Sequence, residues 1–137
     1  YESGAHAYHA TMPTDGLRQL RDVMAEAQNY GFDKLKSAQQ ELGDRARKIL
    51  ADRGIKSLAA DGFGAPGVVV SYTQEADIHN GSRFAQAGFQ IAAGVPLQVD
   101  EPEGFKTFRI GLFGIDKLMN VDRTLNMLEE ALDKVGL

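Results

Sequence analysis

The sequence predicts an α+β fold in which a small, mostly antiparallel sheet has helices packed on one face. Three observations predict it: two amphipathic helical segments come first, two strand-like segments follow near residues 68 and 107, and a last helical stripe ends the chain. The 137 residues are enough for one core and too few for two lobes with a cleft between them.

Helical periodicity is clearest toward the two ends of the chain. Thr14 is expected to cap a helix that runs to about Asn29, a second helix begins near Phe32 and stops at Gly54, and the last begins at about Asn120. The apolar stripes are Leu17, Leu20, Met24 and Ala27 in the first helix, Leu35, Leu42, Ala46, Ile49 and Leu50 in the second, and Val121, Thr124, Leu125, Leu128, Leu132 and Val135 in the last.

The central part of the chain has the strand signals. Residues 68–73 are β-branched and aromatic, and in residues 107–114 the apolar Phe108, Ile110 and Leu112 alternate with other residues. Residues 77–88 are expected to form a short helix, followed by a brief extended segment over residues 89–92. An acidic loop over residues 100–104 leads into the second strand.

Composition excludes several classes of protein. The formal charge of -4 is mild and the cations are scattered, which argues against a nucleic-acid partner. No stretch approaches the roughly 20 apolar residues of a membrane span. The sequence has no cysteine, so it has no disulfide or thiolate site, and a cytoplasmic location is the default expectation. Because the chain opens on Tyr1 rather than on a methionine or a signal peptide, we expect it to be cut from a longer protein.

Arg109 is the first candidate site residue because it stands in the middle of an apolar strand. An arginine there either points to water or finds an acceptor, and its planar guanidinium suits a carboxylate through two parallel hydrogen bonds. Gly111 and Gly114 leave the neighbouring surface bare. Spacing alone favours an exposed or acid-paired arginine over a ligand-binding one.

A second candidate is the polar segment over residues 8–14, which directly precedes the first helix. Its Tyr8 and Thr11 hydroxyls could donate to a phosphate at the helix N-terminus, while helix capping and loop polarity are the simpler explanation. His6 and His9 lie three residues apart, but no acidic or sulfur ligand completes a metal site, so no metal is predicted.

Other patterns that could carry chemistry are weaker. The glycines of residues 62–64 and 111–114 do not open a helix after a strand as nucleotide-binding loops do. The acidic loop is interpreted as solvated rather than catalytic. Ser71, Ser82, His79 and Asp77 include the residue types of a hydrolase triad, but no nucleophile-elbow sequence surrounds either serine.

Two motifs resemble a known family when they are taken together. Tyr8-His9-Ala10-Thr11-Met12-Pro13 resembles the Tyr-His-x-Thr-x-Pro segment of class V pyridoxal-phosphate aminotransferases of the alanine-glyoxylate and serine-pyruvate type. Phe108-Arg109-Ile110-Gly111-Leu112-Phe113-Gly114 resembles that family's Arg-Ile-Gly-x-x-Gly strand. Asn120-Val121 and the helix after it are similar to the family's closing helix, so the resemblance covers essentially the whole chain.

The resemblance implies a function for the intact enzyme. It implies that residues 1–137 are the C-terminal small domain, with residues 1–13 as the tail of the cofactor-binding large domain. Arg109 then binds the substrate carboxylate, and Tyr8 and Thr11 reach the phosphate of pyridoxal 5'-phosphate held by the neighbouring subunit of a homodimer. An amino group moves between a small amino acid, alanine or serine, and a 2-oxo acid such as glyoxylate or pyruvate.

The resemblance also implies what the chain lacks. The Schiff-base lysine belongs to the missing N-terminal large domain, and none of the seven lysines here matches its motif, so the chain alone is expected to be inactive. The segment Ala92-Ala93-Gly94-Val95-Pro96 departs from the glycine-rich turn of many relatives, which leaves the substrate open. Phosphoserine and aminoethylphosphonate aminotransferases are alternatives within the family. A non-catalytic binding or dimerisation module, with Arg109 structural, is the alternative outside it.

Overall fold

The computed structural model describes residue 4 and residues 11–137 of the chain. Two compact units divide it, Tyr1–Phe32 and Asp33–Leu137. Helix α1 (Thr14–Tyr30) belongs to the first unit, and the second unit begins within the first turn of α2 (Phe32–Asp52). The elements that follow are β1 (Val68–Tyr72), α3 (Ala76–His79), α4 (Ser82–Gln86), β2 (Ala92–Ala93), β3 (Thr107–Gly111), α5 (Ile115–Met119) and α6 (Val121–Val135).

The sheet of the second unit has three antiparallel strands in the order β1-β3-β2. The segment after α2 continues it on the other side of β1, where Ser57 forms a bridge with Ser71. The Tyr72 amide donates to the Lys56 carbonyl, and the Leu58 amide donates to the Val70 carbonyl, both at 2.9 Å. A small antiparallel sheet combined with these helices confirms the predicted α+β fold class.

One face of the sheet carries the core. Val69 on β1 and Phe108 and Ile110 on β3 are buried, and in the antiparallel register Val69 lies opposite Ile110. The Phe108 ring packs against the Phe84 ring of α4 with 6.1 Å between centroids. The other buried apolar residues of this cluster are Leu42, Ala46, Leu50, Ile78, Leu112, Leu125, Ala131, Leu132 and Val135. Burial of the predicted stripes of α2 and α6 against one sheet face is the main stabilising term.

Helix α2 is fixed to the turn that leads into β1. Gln39 Nε2 donates to the Pro66 carbonyl at 3.0 Å, and Arg47 Nη2 donates to the carbonyls of Ala65 at 2.5 Å and Val68 at 3.0 Å. Between them on the same helix face, Gly43 packs directly on Pro66. These three residues, spaced four apart on one helix face, hold the turn and the start of β1 against α2.

Two expectations for α1 differ from the structure. Thr14 is the first helical residue rather than the cap, because Pro13 occupies the N-cap position and no side-chain hydrogen bond caps the helix. The apolar stripe of Leu17, Leu20 and Met24 is present at helical spacing but is exposed. Periodicity alone predicted a core-facing helix, and none of the described residues of α1 is buried.

The middle of the chain corrects the expected boundaries. The helix predicted over residues 77–88 is two short helices, α3 and α4, because Gly81 adopts a left-handed backbone conformation with φ of 78° between them. The extended segment expected over residues 89–92 is β2, shifted to Ala92–Ala93. Strand β3 ends at Gly111 rather than continuing to Gly114, and α5 follows where no element was expected.

Candidate functional site

Arg109 lies on the sheet face opposite the core. Alternation along β3 places Phe108 and Ile110 on the buried face, so Arg109 and Gly111 share the other one. The cross-strand partners of Arg109 are Val70 on β1 and Ala92 on β2. Strand β3 is central in the sheet, and Arg109 is therefore held by backbone pairing on both sides.

The Arg109 guanidinium is fixed at one end and available at the other. Its Nε donates to the Ala93 carbonyl oxygen at 2.9 Å. Within the part of the chain that the structure describes, Nη1 and Nη2 have no hydrogen-bond partner and no carboxylate pairs with Arg109. Each of these two nitrogens carries N–H donors in the fixed fork geometry of a guanidinium, which matches the two oxygens of a carboxylate.

There is space beside this guanidinium. A Cβ atom built on Gly111 meets no atom within 4 Å, so the strand surface next to Arg109 is bare. The neighbour on β2 is the exposed Ala92, whose side chain is a single methyl group. Arg109 is therefore a half-buried cation on an open strand surface with short neighbouring side chains, an arrangement that can bind a small anion.

The other two predicted site residues are less fully described. Tyr8 lies outside the residues that the structure describes. Thr11 is exposed and lies three residues before the first residue of α1. Thr11 belongs to the first compact unit and Arg109 to the second. Their roles toward a cofactor phosphate stay predictions.

The remaining charged groups of the second unit mostly serve the fold. Arg83 donates to both oxygens of Asp77 at 2.8 Å and also pairs with Glu75. The hydrogen bond from Arg83 holds the pKa of Asp77 below its ordinary value. Arg53 joins the end of α2 to the chain terminus through Asp133 at 2.7 Å and the Leu137 carbonyl at 2.6 Å. None of these ion pairs includes Arg109.

The acidic loop has a structural role that sequence reasoning did not foresee. The Glu101 carboxylate accepts hydrogen bonds from the backbone amides of Leu97, Gln98 and Val99, the last two at 2.7 and 3.1 Å. Its pKa is lowered, chiefly by a hydrogen bond from its own backbone amide and then by these three. Glu101 therefore organises the loop rather than acting as an acid or base.

Sequence reasoning also missed a cavity and a histidine contact. A cavity of about 370 Å³ lies between α2, residues 55–64 and β1, and it is lined in part by the buried Ser71. His79 Nδ1 lies 2.7 Å from the Thr107 carbonyl oxygen, at the start of the strand that carries Arg109. The cavity and the His79–Thr107 contact both bring together residues that are far apart in sequence, so no local sequence pattern predicts either of them.

All seven lysines of the sequence lie in the described part of the chain, and none of them is buried. Lys48 pairs with Asp52, Lys134 pairs with Glu130, and Lys117 donates to the Phe113 carbonyl. A Schiff-base lysine is activated by desolvation or by a neighbouring cation. The described lysines have exposed or half-exposed surroundings instead.

Two further observations concern the described residues alone. They contain no group of three or more histidine, aspartate or glutamate side chains arranged to hold a metal ion. No helix among them is long and apolar enough to cross a membrane.

Comparison of the sequence with models of known protein families and with curated proteins finds no match. The family and the activity are therefore proposed from the residues themselves.

Proposed function

We propose that this chain is the small domain of a pyridoxal-phosphate aminotransferase and that Arg109 binds the carboxylate of its substrate. The observation that carries the proposal is the guanidinium held at Nε by the Ala93 carbonyl, with Nη1 and Nη2 unengaged among the described residues and open strand surface at Gly111. A part-buried cation with two unengaged donors and adjacent space is suited to a carboxylate.

The resemblance adds the class of substrate to this geometry. The substrates that the resemblance implies, alanine, serine, glyoxylate and pyruvate, each carry a carboxylate that the free donors of Arg109 suit. Pyridoxal phosphate would supply the electron sink in the intact enzyme, and Thr11, with Tyr8, would reach its phosphate. Since no described lysine is buried, we expect the Schiff-base lysine on the large domain, and the homodimer and the cytoplasmic location are proposed with it.

The carboxylate role is tested by titrating the ¹⁵N-labelled chain with pyruvate and following backbone amide shifts. We expect shifts confined to residues 92–93 and 107–111, and pyruvate binding at least about tenfold weaker in Arg109→Gln. Arg109→Lys is expected to recover only part of the affinity, because an ammonium group cannot form the two parallel bonds.

The matched control is Arg123→Gln. Arg123 is exposed and pairs with Asp116 of α5, so its removal takes away one positive charge without changing the contacts of Arg109. The neutral analogue pyruvamide, which keeps the 2-oxo group and lacks the carboxylate charge, controls for nonspecific binding. Equal loss of pyruvate binding in both arginine variants, or shifts scattered over the chain, would contradict the proposal.

The cofactor role is tested on the intact enzyme by visible absorption. We expect an absorption band of protein-bound pyridoxal phosphate that changes when L-alanine or L-serine is added. Arg109→Ala should lower kcat/KM by an amount equivalent to a loss of about 2 to 4 kcal/mol of transition-state stabilisation. No band in the presence of added cofactor would remove the aminotransferase assignment. The 137-residue chain alone is expected to show no transamination.

A second candidate function is a non-catalytic dimerisation module, and the exposed apolar stripe of α1 favours it. Leu17, Leu20, Val23 and Met24 are each between 45% and 61% exposed. This alternative predicts that the chain self-associates in a concentration-dependent way in sedimentation equilibrium. It also predicts that Arg109→Gln does not change the affinity for pyruvate.

A further inference from the structure

The Ala93 carbonyl that holds Arg109 belongs to a weak element. Strand β2 has only two residues, Ala92 and Ala93, and both are exposed. It pairs with β3 along one side only and forms the sheet edge. Two residues of edge pairing do not fix a strand by themselves, so another contact must hold the Ala93 carbonyl in place.

That contact is made by His79 at the end of α3. The backbone amide of Gly94, the residue after Ala93, donates to the His79 carbonyl oxygen at 2.9 Å. The imidazole packs so closely that a Cβ on Gly94 would lie 2.5 Å from His79 Nδ1 and 2.0 Å from the Thr107 carbonyl oxygen. Only glycine allows this approach, and α3 itself is anchored by the fully buried Ile78.

The imidazole also binds the other strand of the pair. His79 Nδ1 lies 2.7 Å from the Thr107 carbonyl oxygen. A carbonyl oxygen is an acceptor only, so Nδ1 must carry the proton and donate it. Thr107 stands two residues before Arg109 in β3 and is buried. One histidine therefore connects the residue after Ala93 to the strand that carries Arg109.

We propose that His79 is a positioning residue for Arg109, acting by clamping β2 against β3 so that the Ala93 carbonyl holds the guanidinium in the orientation that binds a carboxylate. This inference rests on the proposed function of Arg109 and adds the residue that controls it. A guanidinium released from Ala93 would sample many rotamers and lose affinity for a planar ligand.

The test uses the 137-residue chain and three variants. His79→Ala removes the donor to Thr107, whereas His79→Asn places an amide N–H near the position of Nδ1 and should restore it. Asn80→Ala is the matched control, because Asn80 Oδ1 accepts from the Ser82 amide at 2.8 Å and forms no hydrogen bond with β2 or β3 in the described part of the chain. Two readouts are taken: hydrogen exchange of the Arg109 Nε–H, assigned by its loss in Arg109→Lys, and the dissociation constant of pyruvate.

We expect His79→Ala to speed exchange of the Arg109 Nε–H and to weaken pyruvate binding, each by about tenfold. His79→Asn should resemble the wild type, and Asn80→Ala should lower stability in urea without changing either readout. Unchanged Arg109 exchange in His79→Ala would overturn the proposal. Equal impairment of the Ala and Asn variants would also overturn it, because ring packing rather than the donor would then be responsible.

The two proposals fail in different ways. If the wild-type chain binds no pyruvate, the carboxylate role of Arg109 fails. The exchange rate of the Nε–H still decides whether His79 positions the guanidinium, because that readout needs no ligand.

Discussion

Several charged side chains in this chain acquire their roles by binding backbone atoms, some of them distant in sequence. Arg109 binds the Ala93 carbonyl, Arg47 binds the Val68 carbonyl, and Glu101 binds the amides of its own loop. Hydrogen bonds of charged groups to backbone are strong and directional. They fix irregular segments that have few apolar contacts of their own.

The structure predicts that removing the Ser71 hydroxyl increases the stability of the fold. Ser71 is 1% exposed, and its hydroxyl has no hydrogen-bond partner among the described residues. Burial of an unsatisfied hydroxyl is costly, so Ser71→Ala should raise the free energy of unfolding by about 1 kcal/mol in urea denaturation.

The matched control for that experiment is Ser57→Ala. Ser57 stands opposite Ser71 in the β-bridge, but its hydroxyl oxygen accepts from the Ala59 amide at 3.2 Å. Its removal should lower stability. A loss of stability in both variants would show that the Ser71 hydroxyl is satisfied in solution.

The hydrogen bonds of Glu101 make the stability of its loop depend on pH. The folded-state pKa of Glu101 lies below the ordinary value, so the loop gains stability above the ordinary pKa and loses it as pH falls through the lowered one. Gln98 and Asp100 have φ of 60°, which non-glycine residues rarely adopt, and Glu101 offsets that strain.

The measurement is an amide NMR titration of residues 97–99 from pH 7 to pH 2.5. These signals should move together at the lowered pKa of Glu101. In Glu101→Gln they should lie near their low-pH positions at every pH. Titration of the three amides at an ordinary glutamate pKa would contradict the assignment.

At the scale of elements, helix propensity and tertiary packing oppose each other in α2. Gly43 weakens a helix relative to alanine by about 1 kcal/mol. A Cβ at this position would lie 2.7 Å from the Pro66 carbonyl oxygen and 2.9 Å from its Cα. The missing side chain lets the helix approach the turn before β1. Close packing therefore explains why a glycine occupies this helical position despite its low helix propensity.

Gly43→Ala should therefore destabilise the chain although alanine is the better helix former. Steric overlap with rigid backbone costs about 1 to 3 kcal/mol and outweighs the gain in propensity. Thermal unfolding followed by circular dichroism measures the change. Gly16→Ala in α1 is the control, since a Cβ there meets only Pro13 Cβ at an ordinary 3.9 Å, and it should increase helicity. A rise in melting temperature for Gly43→Ala would contradict this packing argument.

At the scale of the whole molecule, the core belongs entirely to the second compact unit. Every buried apolar residue of the cluster lies at or after Leu42, and the described residues of the first unit contribute none. A unit with its own core is expected to fold by itself.

A fragment of residues 33–137 should therefore unfold cooperatively in urea and keep a near-ultraviolet signal from its packed aromatic rings. Chemical denaturation of the fragment checks this, with the full chain measured in parallel. A fragment without a cooperative transition would show that residues 1–32 are required for the core.

The sequence alone determined the fold class, the long helices and the two longer strands. The apolar stripes of α2 and α6 and the β-branched residues of β1 are patterns among residues close together in sequence. The element types that they indicate can therefore be predicted from the sequence alone. It also singled out Arg109, because a charge in an apolar strand needs an explanation.

Tertiary structure alone decided which contacts each residue makes. The break at Gly81, the two-residue β2, and the contacts of Arg109 with Ala93 and of His79 with Thr107 all depend on segments that meet only after folding. The exposure of the α1 stripe was decided in the same way, because periodicity predicts an apolar face and only the fold determines whether anything covers it.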